Sequence, residues 1–285
     1  MINNNRIAKK ISYKTLIWVL VIIYVLFVTF PFYWMFLTAV KSQAEIYKIP
    51  PNWWPETFAW NNFIDVWSAF PIARYFANTI FITLTTTILG ISLATLAAYS
   101  MWRYKFKGVT FLMMVLLLTQ MLPKVVTITP FYFWMLRLGL VNNYLGLILA
   151  YTTWSLPFST LMLRSYFGST FPVELEESAL VDGCTRFQAF YKIVLPVSAP
   201  GLVAAGTFAF MLAWREFMFA SIMLNKGKLK PLAVGLFDMM GQSGEIQYIS
   251  MFMASAVMTT IPVILLFLFG QKYIIQGLTS GAVKG

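Results

Sequence analysis

Thr15-Leu-Ile-Trp-Val-Leu-Val-Ile-Ile-Tyr-Val-Leu-Phe-Val-Thr-Phe-Pro-Phe-Tyr-Trp-Met-Phe-Leu-Thr-Ala-Val40 runs between Lys14 and Lys41 without one charged side chain. A helix needs roughly 20 apolar residues to cross about 30 Å of hydrocarbon, and this stretch supplies more. It also exceeds the roughly 7–15 apolar residues of a secretory signal, and no small-residue cleavage pattern follows it. Residues 15–40 therefore read as a retained membrane anchor.

The composition agrees. Of 285 residues, 59% are hydrophobic, 18% aromatic and only 11% charged. Soluble domains carry about 25% charge, so this chain has too few polar side chains to cover a water-facing surface. Disorder is excluded, because it requires low hydrophobicity with high charge density. Histidine is absent and Cys184 is the one cysteine. That removes the commonest general base and metal ligand, together with any disulfide framework or multi-cysteine metal site. No catalytic residue, bound metal or cofactor is expected. Lys and Arg outnumber Asp and Glu by 21 to 10; in a membrane protein such an excess marks the loops left in the cytoplasm and does not call for nucleic acid.

Five further segments approach spanning length. They are Tyr75 to Met101, fenced by Arg74 and Arg103; the short Val109 to Leu122, ending at Pro123 and Lys124; Tyr144 to Leu163, interrupted by Pro157; Val197 to Leu224, containing Arg215 and Glu216; and Ile249 to Gly270, containing Pro262. Proline is tolerated in spans because neighbouring helices satisfy the freed carbonyls. Residues 123–141 read as a partly helical connection at, or re-entering, the outer face.

Six spans put both termini on one side. Arg6, Lys9, Lys10 and Lys14 precede the first span, and Arg103, Lys105 and Lys107 follow the second, which assigns that side to the cytoplasm. Lys226, Lys228 and Lys230 on the outer side keep the bias modest. The expected organisation is a cytoplasmic N-terminus (1–14), the anchor (15–40), an extracytoplasmic loop (41–74), a five-helix core (75–270) holding a cytoplasmic loop (164–196), and a cytoplasmic tail (271–285).

That loop is out of character. It holds Glu174, Glu176, Glu177 and Asp182, four of the ten acidic residues. Pro172 followed by carboxylates reads as a helix start, with negative charge at the positive end of the dipole. Gly183 can take a left-handed conformation and stop that helix. A second helix, Arg186 to Val194, is expected to end before Pro196. Cys184, between them, reads as a small filler.

The spacing here resembles a known family. Glu177-Ser178-Ala179, three residues, Gly183, nine residues, then Ile193-Val194-Leu195-Pro196 is similar to the EAA loop of ABC importer membrane subunits, with Ser178 in place of an alanine. Trp214-Arg215-Glu216-Phe217 resembles a Trp-Asn-Glu/Asp-Phe element of carbohydrate importers. The ending from Gln271-Lys272-Tyr273 to Gly285 looks like the tail of maltose-type, MalG-like subunits. The resemblance implies an all-α integral membrane fold of the type I ABC importer kind, in a bacterial or archaeal cytoplasmic membrane. It implies a second permease subunit, two copies of a cytoplasmic ABC ATPase holding the ATP and Mg, and an extracytoplasmic solute-binding protein. It also assigns ATPase coupling to Glu177, Ser178, Ala179, Asp182, Gly183, Ile193, Leu195 and Pro196: a stiff helix, a small-residue face (177–179) and hinges at Gly183 and Pro196. No G-x-x-x-x-G-K-[ST] phosphate loop occurs, as expected of a subunit that does not hydrolyse ATP.

For the carbohydrate path the candidates are Gln120, Tyr151, Trp154, Trp214, Arg215 and Glu216, because aromatic faces cover sugar C–H surfaces while polar groups bond the hydroxyls. Charges inside a span often mark a transport path and otherwise pair with neighbouring helices. Gly201, Ala205, Ala209 and Ala213, four apart, form a small-residue ridge for close helix packing, within the chain or at a subunit interface. The segments 49–55 and 225–248 face outward, where a binding protein or the lipid interface meets them. Two other classes fit less well. An ion-driven carrier or channel needs inverted repeats or several mid-membrane carboxylates, and Glu216 is the one carboxylate in a span; a membrane enzyme lacks the usual acid–base groups.

Overall fold

In the computed structural model, residues 2–104, 106–242 and 248–282 are described, with side chains over 14–104, 106–241 and 248–273. Lys105, the side chains of Arg6, Lys9 and Lys10, and those of the tail from Gly277 onward lie outside them. Among the described residues the ordered elements are helical. The chain divides into two compact units, residues 1–70 with 238–259, and residues 71–237 with 260–285.

The first unit opens with α1 (Ile2–Ala39). Its apolar side chains from Leu16 to Phe30 are mostly exposed, Phe27 at 78%, which is the surface lipid covers. Helices α2 (Gln43–Ile46) and α3 (Asn62–Ala69) follow. The proline-rich chain between them is non-helical, and side chains hold it in shape. Buried Glu45 accepts from the Glu56 amide at 3.0 Å and from Asn52 Nδ2 at 3.4 Å, and the buried Lys41 ammonium donates to the Asn52 carbonyl. Asn62 Nδ2 donates to the Ala39 and Lys41 carbonyls at 2.8 and 3.1 Å, and Tyr33 Oη to the Trp53 carbonyl at 2.9 Å. Lys48 pairs with Glu56 at 2.6 Å and, with Asn52, holds that carboxyl below its usual range.

The second unit is built on α4 (Ile72–Arg103) and α7 (Tyr144–Thr170), which pack along each other, with α5 (Val109–Met121) and α6 (Lys124–Arg137) between them in the chain. Three of the hydroxyls in α4 are absorbed by the helix itself: Thr79, Thr87 and Thr95 donate to carbonyls four residues back at 2.9, 2.8 and 2.6 Å, whereas buried Thr83 and Thr86 make no such bond. Each such bond removes the penalty of a lone polar group in apolar surroundings. Helices α5 and α6 bend by 100° at Pro123. A left-handed Asn142 then ends the connection, its Oδ1 accepting from the Asn225 and Lys226 amides at 2.8 and 3.0 Å. Helix α7 starts on an Asn143 cap and continues through Pro157.

Beyond α7 come α8 (Val173–Val181), α9 (Arg186–Ala189), a π-helical turn (Phe190–Val194), α10 (Leu195–Val197), α11 (Ala199–Trp214) and α12 (Met218–Met223). A 3-10 turn (Gly227–Leu229), α13 (Leu232–Gln242) and α14 (Ile249–Ala282) complete the order. Helix α11 packs on both α4 and α7, so the ridge Gly201, Ala205, Ala209 and Ala213 is used inside the chain, each of the three alanines 3% exposed or less. Among the described residues four helices are long and apolar enough to cross a membrane. Counting the bent pairs α5–α6 and α9/α10–α11 as one span each raises that to six.

Three boundaries differ from expectation. Helix α7 runs to Thr170, past Leu163, because Arg164 ends the apolar run without supplying a helix stop; Pro172 is the first breaker. The 164–196 segment therefore begins as two helical turns. The helix from Arg186 does not end before Pro196. A π-helical turn, in which the Leu195 amide reaches the Phe190 carbonyl five residues back, carries it through the proline to Val197, and the 74° bend falls at Ser198. The span 197–224 breaks: α11 stops at Trp214, and α12 restarts at Met218.

Candidate functional site

The acidic loop folds as two short helices joined by a four-residue corner (182–185) held by local bonds. Gly183 adopts φ +86°. Its amide donates to the Leu180 carbonyl at 3.1 Å and the Cys184 amide to the Ala179 carbonyl at 3.0 Å, the two bonds of a Schellman helix end. One residue later Thr185 caps α9: its hydroxyl accepts from the Gln188 amide at 3.3 Å, and Gln188 Oε1 accepts from the Thr185 amide at 2.9 Å. This capping box begins the second helix with no free linker between the two.

The loop has an inner and an outer side. Glu177, Ser178, Asp182, Gly183 and Pro196 are exposed. So are the apolar Val181 at 87%, Phe187 at 76% and Tyr191 at 65%. Ala179, expected on the outer small-residue face, is instead 4% exposed: a helix turns about 100° per residue, so its neighbour Ser178 faces out while Ala179 packs inward. Ile193 and Leu195 are likewise turned to the cluster formed by Tyr99, Leu163, Phe167 and Phe190.

Sequence reading passed over the groups on the inner side. Glu176 is wholly buried. Tyr99 Oη of α4 donates to its Oε1 at 2.8 Å, and Arg103 Nε lies 3.0 Å from its Oε2, while Arg103 Nη2 reaches Glu177 Oε1 at 3.4 Å. Arg186 Nη1 donates to Tyr104 Oη at 3.2 Å, with the guanidinium 5.6 Å from that ring, and this bond raises the Arg186 pKa further. A signal was present in the Glu176-Glu177 doublet: adjacent helix residues point about 100° apart, so one carboxylate can face inward, and Arg103 closes a span on the same side of the chain.

The path candidates separate into two groups. Gln120 and Trp154 both line a cavity of about 520 Å³ between α4, α5, α6 and α7, with Thr119, Thr127, Thr152 and Thr153 among otherwise apolar walls. Lys124 Nζ stands 5.6 Å from the Trp154 ring. Tyr151 and Trp214, 2% and 5% exposed, are buried in the chain's own packing and do not border that cavity. Trp214 stacks on Phe210 at 5.5 Å, and Tyr151 Oη donates to the Glu216 carbonyl at 3.4 Å. Arg215 is exposed and forms no ion pair among the described residues.

Comparison with known proteins decides the family. Residues 86–280 match the family described as binding-protein-dependent transport system inner membrane component. The chain belongs to that family. It is 36% identical over 276 residues to the probable ABC transporter permease protein YurM of Bacillus subtilis, covering 95% of this chain and 89% of that protein. It is 34% identical over 258 residues to the trehalose/maltose transport system permease protein MalG of Thermococcus litoralis, covering 90% and 91%. The fold matches a subunit in the crystal structure of a bacterial ABC transporter involved in the import of the acidic polysaccharide alginate. That match has a TM-score of 0.81 at 22% identity, over 92% of this chain and 96% of that one.

This binding-protein-dependent permease is thus a multi-pass inner-membrane subunit of an ABC importer and not an enzyme; ATP hydrolysis belongs to a partner ATPase. The broken α11–α12 span acquires a structural explanation. Glu216 sits outside both helices, and its carboxylate accepts from the Phe219 and Ala220 amides at 3.0 and 3.3 Å. It caps α12, satisfying amides that a helix start leaves free. Glu216→Ala in the permease is expected to cost about 1–2 kcal/mol, read as a lower thermal-unfolding midpoint in detergent, with Glu216→Gln closer to the parent. An unchanged midpoint for the alanine variant refutes the cap.

Proposed function

We propose that this permease forms one half of the translocation pathway of an ATP-driven carbohydrate importer, paired with a second permease. Two cytoplasmic ATPases hold the ATP and Mg, this chain holds no cofactor, and an extracytoplasmic binding protein delivers the sugar. Helices α8 and α9 dock on an ATPase through Glu177, Ser178 and Asp182 with Val181 and Phe187, and Gly183 sets the corner between them. The observation that carries this reading is Val181 and Phe187, 87% and 76% exposed on a loop otherwise tied to its own chain. Apolar side chains that project from an anchored loop fit a protein cleft better than water.

The orientation follows from charge. Basic residues before the first span and after the second mark the cytoplasmic side and bring both termini there with α8 and α9. The substrate class rests on the trehalose/maltose and alginate transporters among similar proteins, and on Gln120 and Trp154 sharing one cavity wall. Proteoliposomes holding all subunits should accumulate oligosaccharide on addition of ATP and binding protein, whereas the permease alone should not. Val181→Cys should crosslink to the ATPase subunit. A crosslink to the binding protein instead would place the loop outside and defeat the assignment.

A further inference from the structure

The end of α4 grips both helices of the corner. Glu176 of α8, with no exposed surface, accepts a hydrogen bond from the Tyr99 hydroxyl at 2.8 Å and is ion-paired with Arg103 Nε at 3.0 Å. Arg186 of α9 is held by Tyr104 at 3.2 Å, and the Phe190 ring lies 4.7 Å from that of Tyr99. Helix α4 in turn packs along α7 and α11. A buried carboxylate is stable as an ion only while its partners stay in place, so α8 cannot swing away from α4 without exposing or unpairing Glu176. Greasy packing would let the helix slide; a hydrogen bond from Tyr99 and an ion pair with Arg103, on the two oxygens of one buried carboxylate, resist that sliding.

We propose that Tyr99, Arg103 and Glu176 are positioning residues that make α8 and α4 move as one body, so that displacement of α8 by the ATPase becomes movement of α4 instead of peeling the loop off the chain. This rests on the docking reading above and deepens it. In that division of labour Glu177 meets the partner, while its neighbour Glu176 meets the chain's own span.

The test uses the complete transporter in proteoliposomes and reads substrate imported per ATP hydrolysed. Glu176→Gln and Arg103→Gln are each expected to lower that ratio at least tenfold while the assembled complex still hydrolyses ATP, and the double variant to lose no more than the worse single one, since both act through one joint. Tyr99→Phe removes only the hydroxyl and should lower the ratio a few-fold; it keeps the test decisive if a charge variant fails to assemble. A ratio unchanged in Tyr99→Phe and in whichever charge variants assemble, or losses that add in the double variant, overturns the joint. The Val181→Cys crosslink separates this from failure of the docking reading. If the crosslink forms and the ratio is unchanged, the joint alone is wrong; if the crosslink is absent from the parent complex, the docking reading and the joint built on it both fall.

Discussion

Gly183→Val is expected to abolish uptake while the permease still inserts and remains folded. At φ +86° a residue with a Cβ pays roughly 1–2 kcal/mol, and a β-branched one is a genuine outlier. Nothing lies within 4 Å of a Cβ built there, so the effect is purely conformational and stays local. Either α8 unwinds from its Schellman end or Thr185 loses its place at the head of α9; both break the corner that presents Val181 and Phe187. The effect should be graded by backbone preference. Asn, which tolerates the left-handed region, should retain most uptake, Ala and Asp less, and Val none, at equal amounts of membrane-inserted protein. Uptake by Gly183→Val at the parent level would show that the corner geometry is dispensable.

A large loss of stability is expected from Gly201→Val in α11. A Cβ there would stand 2.6 Å from Cγ and Cδ1 of Tyr166. These atoms lie at the root of the ring, and Tyr166 is only 6% exposed, so the side chain cannot swing clear. Helices α11 and α7 would have to separate, and overpacking of this kind costs about 1–3 kcal/mol before any secondary loosening. Most of the variant should be lost from the monodisperse peak in mild detergent, with a midpoint lowered by several degrees in what remains. Gly201→Ala should be milder, and Tyr166→Leu should partly rescue it by removing the ring. A valine variant as stable as the parent would mean that α11 and α7 do not approach as closely as described.

Much of this architecture was legible because it depends on local rules. Charge-free length identifies spans, and Pro172 and Gly183 are start and stop signals within one turn of their partners; the Thr185–Gln188 capping box is an equally local start signal that was not among the expectations. The misreadings share a cause. At Leu163, Pro196 and the 197–224 span the expectation rests on hydropathy or on proline alone, whereas helix ends answer to hydrogen bonds. Arg164 is polar but helical, a π-turn accommodates Pro196, and the Glu216 carboxylate competes for amides that an unbroken helix would use. The path candidates divided for another reason: Tyr151 and Trp214 look like Gln120 and Trp154 in sequence, and only packing buries the first pair.

From sequence alone came the membrane class, the non-hydrolysing character and the helix stop at Gly183, because the composition, the motif spacing and the local stop signal are all written along the chain. Tertiary structure decided that Glu176 points inward to Tyr99 and Arg103, more than seventy positions earlier. It also put the alanine ridge against the chain's own helices. Burial and ion pairing are set by which helices meet, and side-chain periodicity states a face without naming its neighbour.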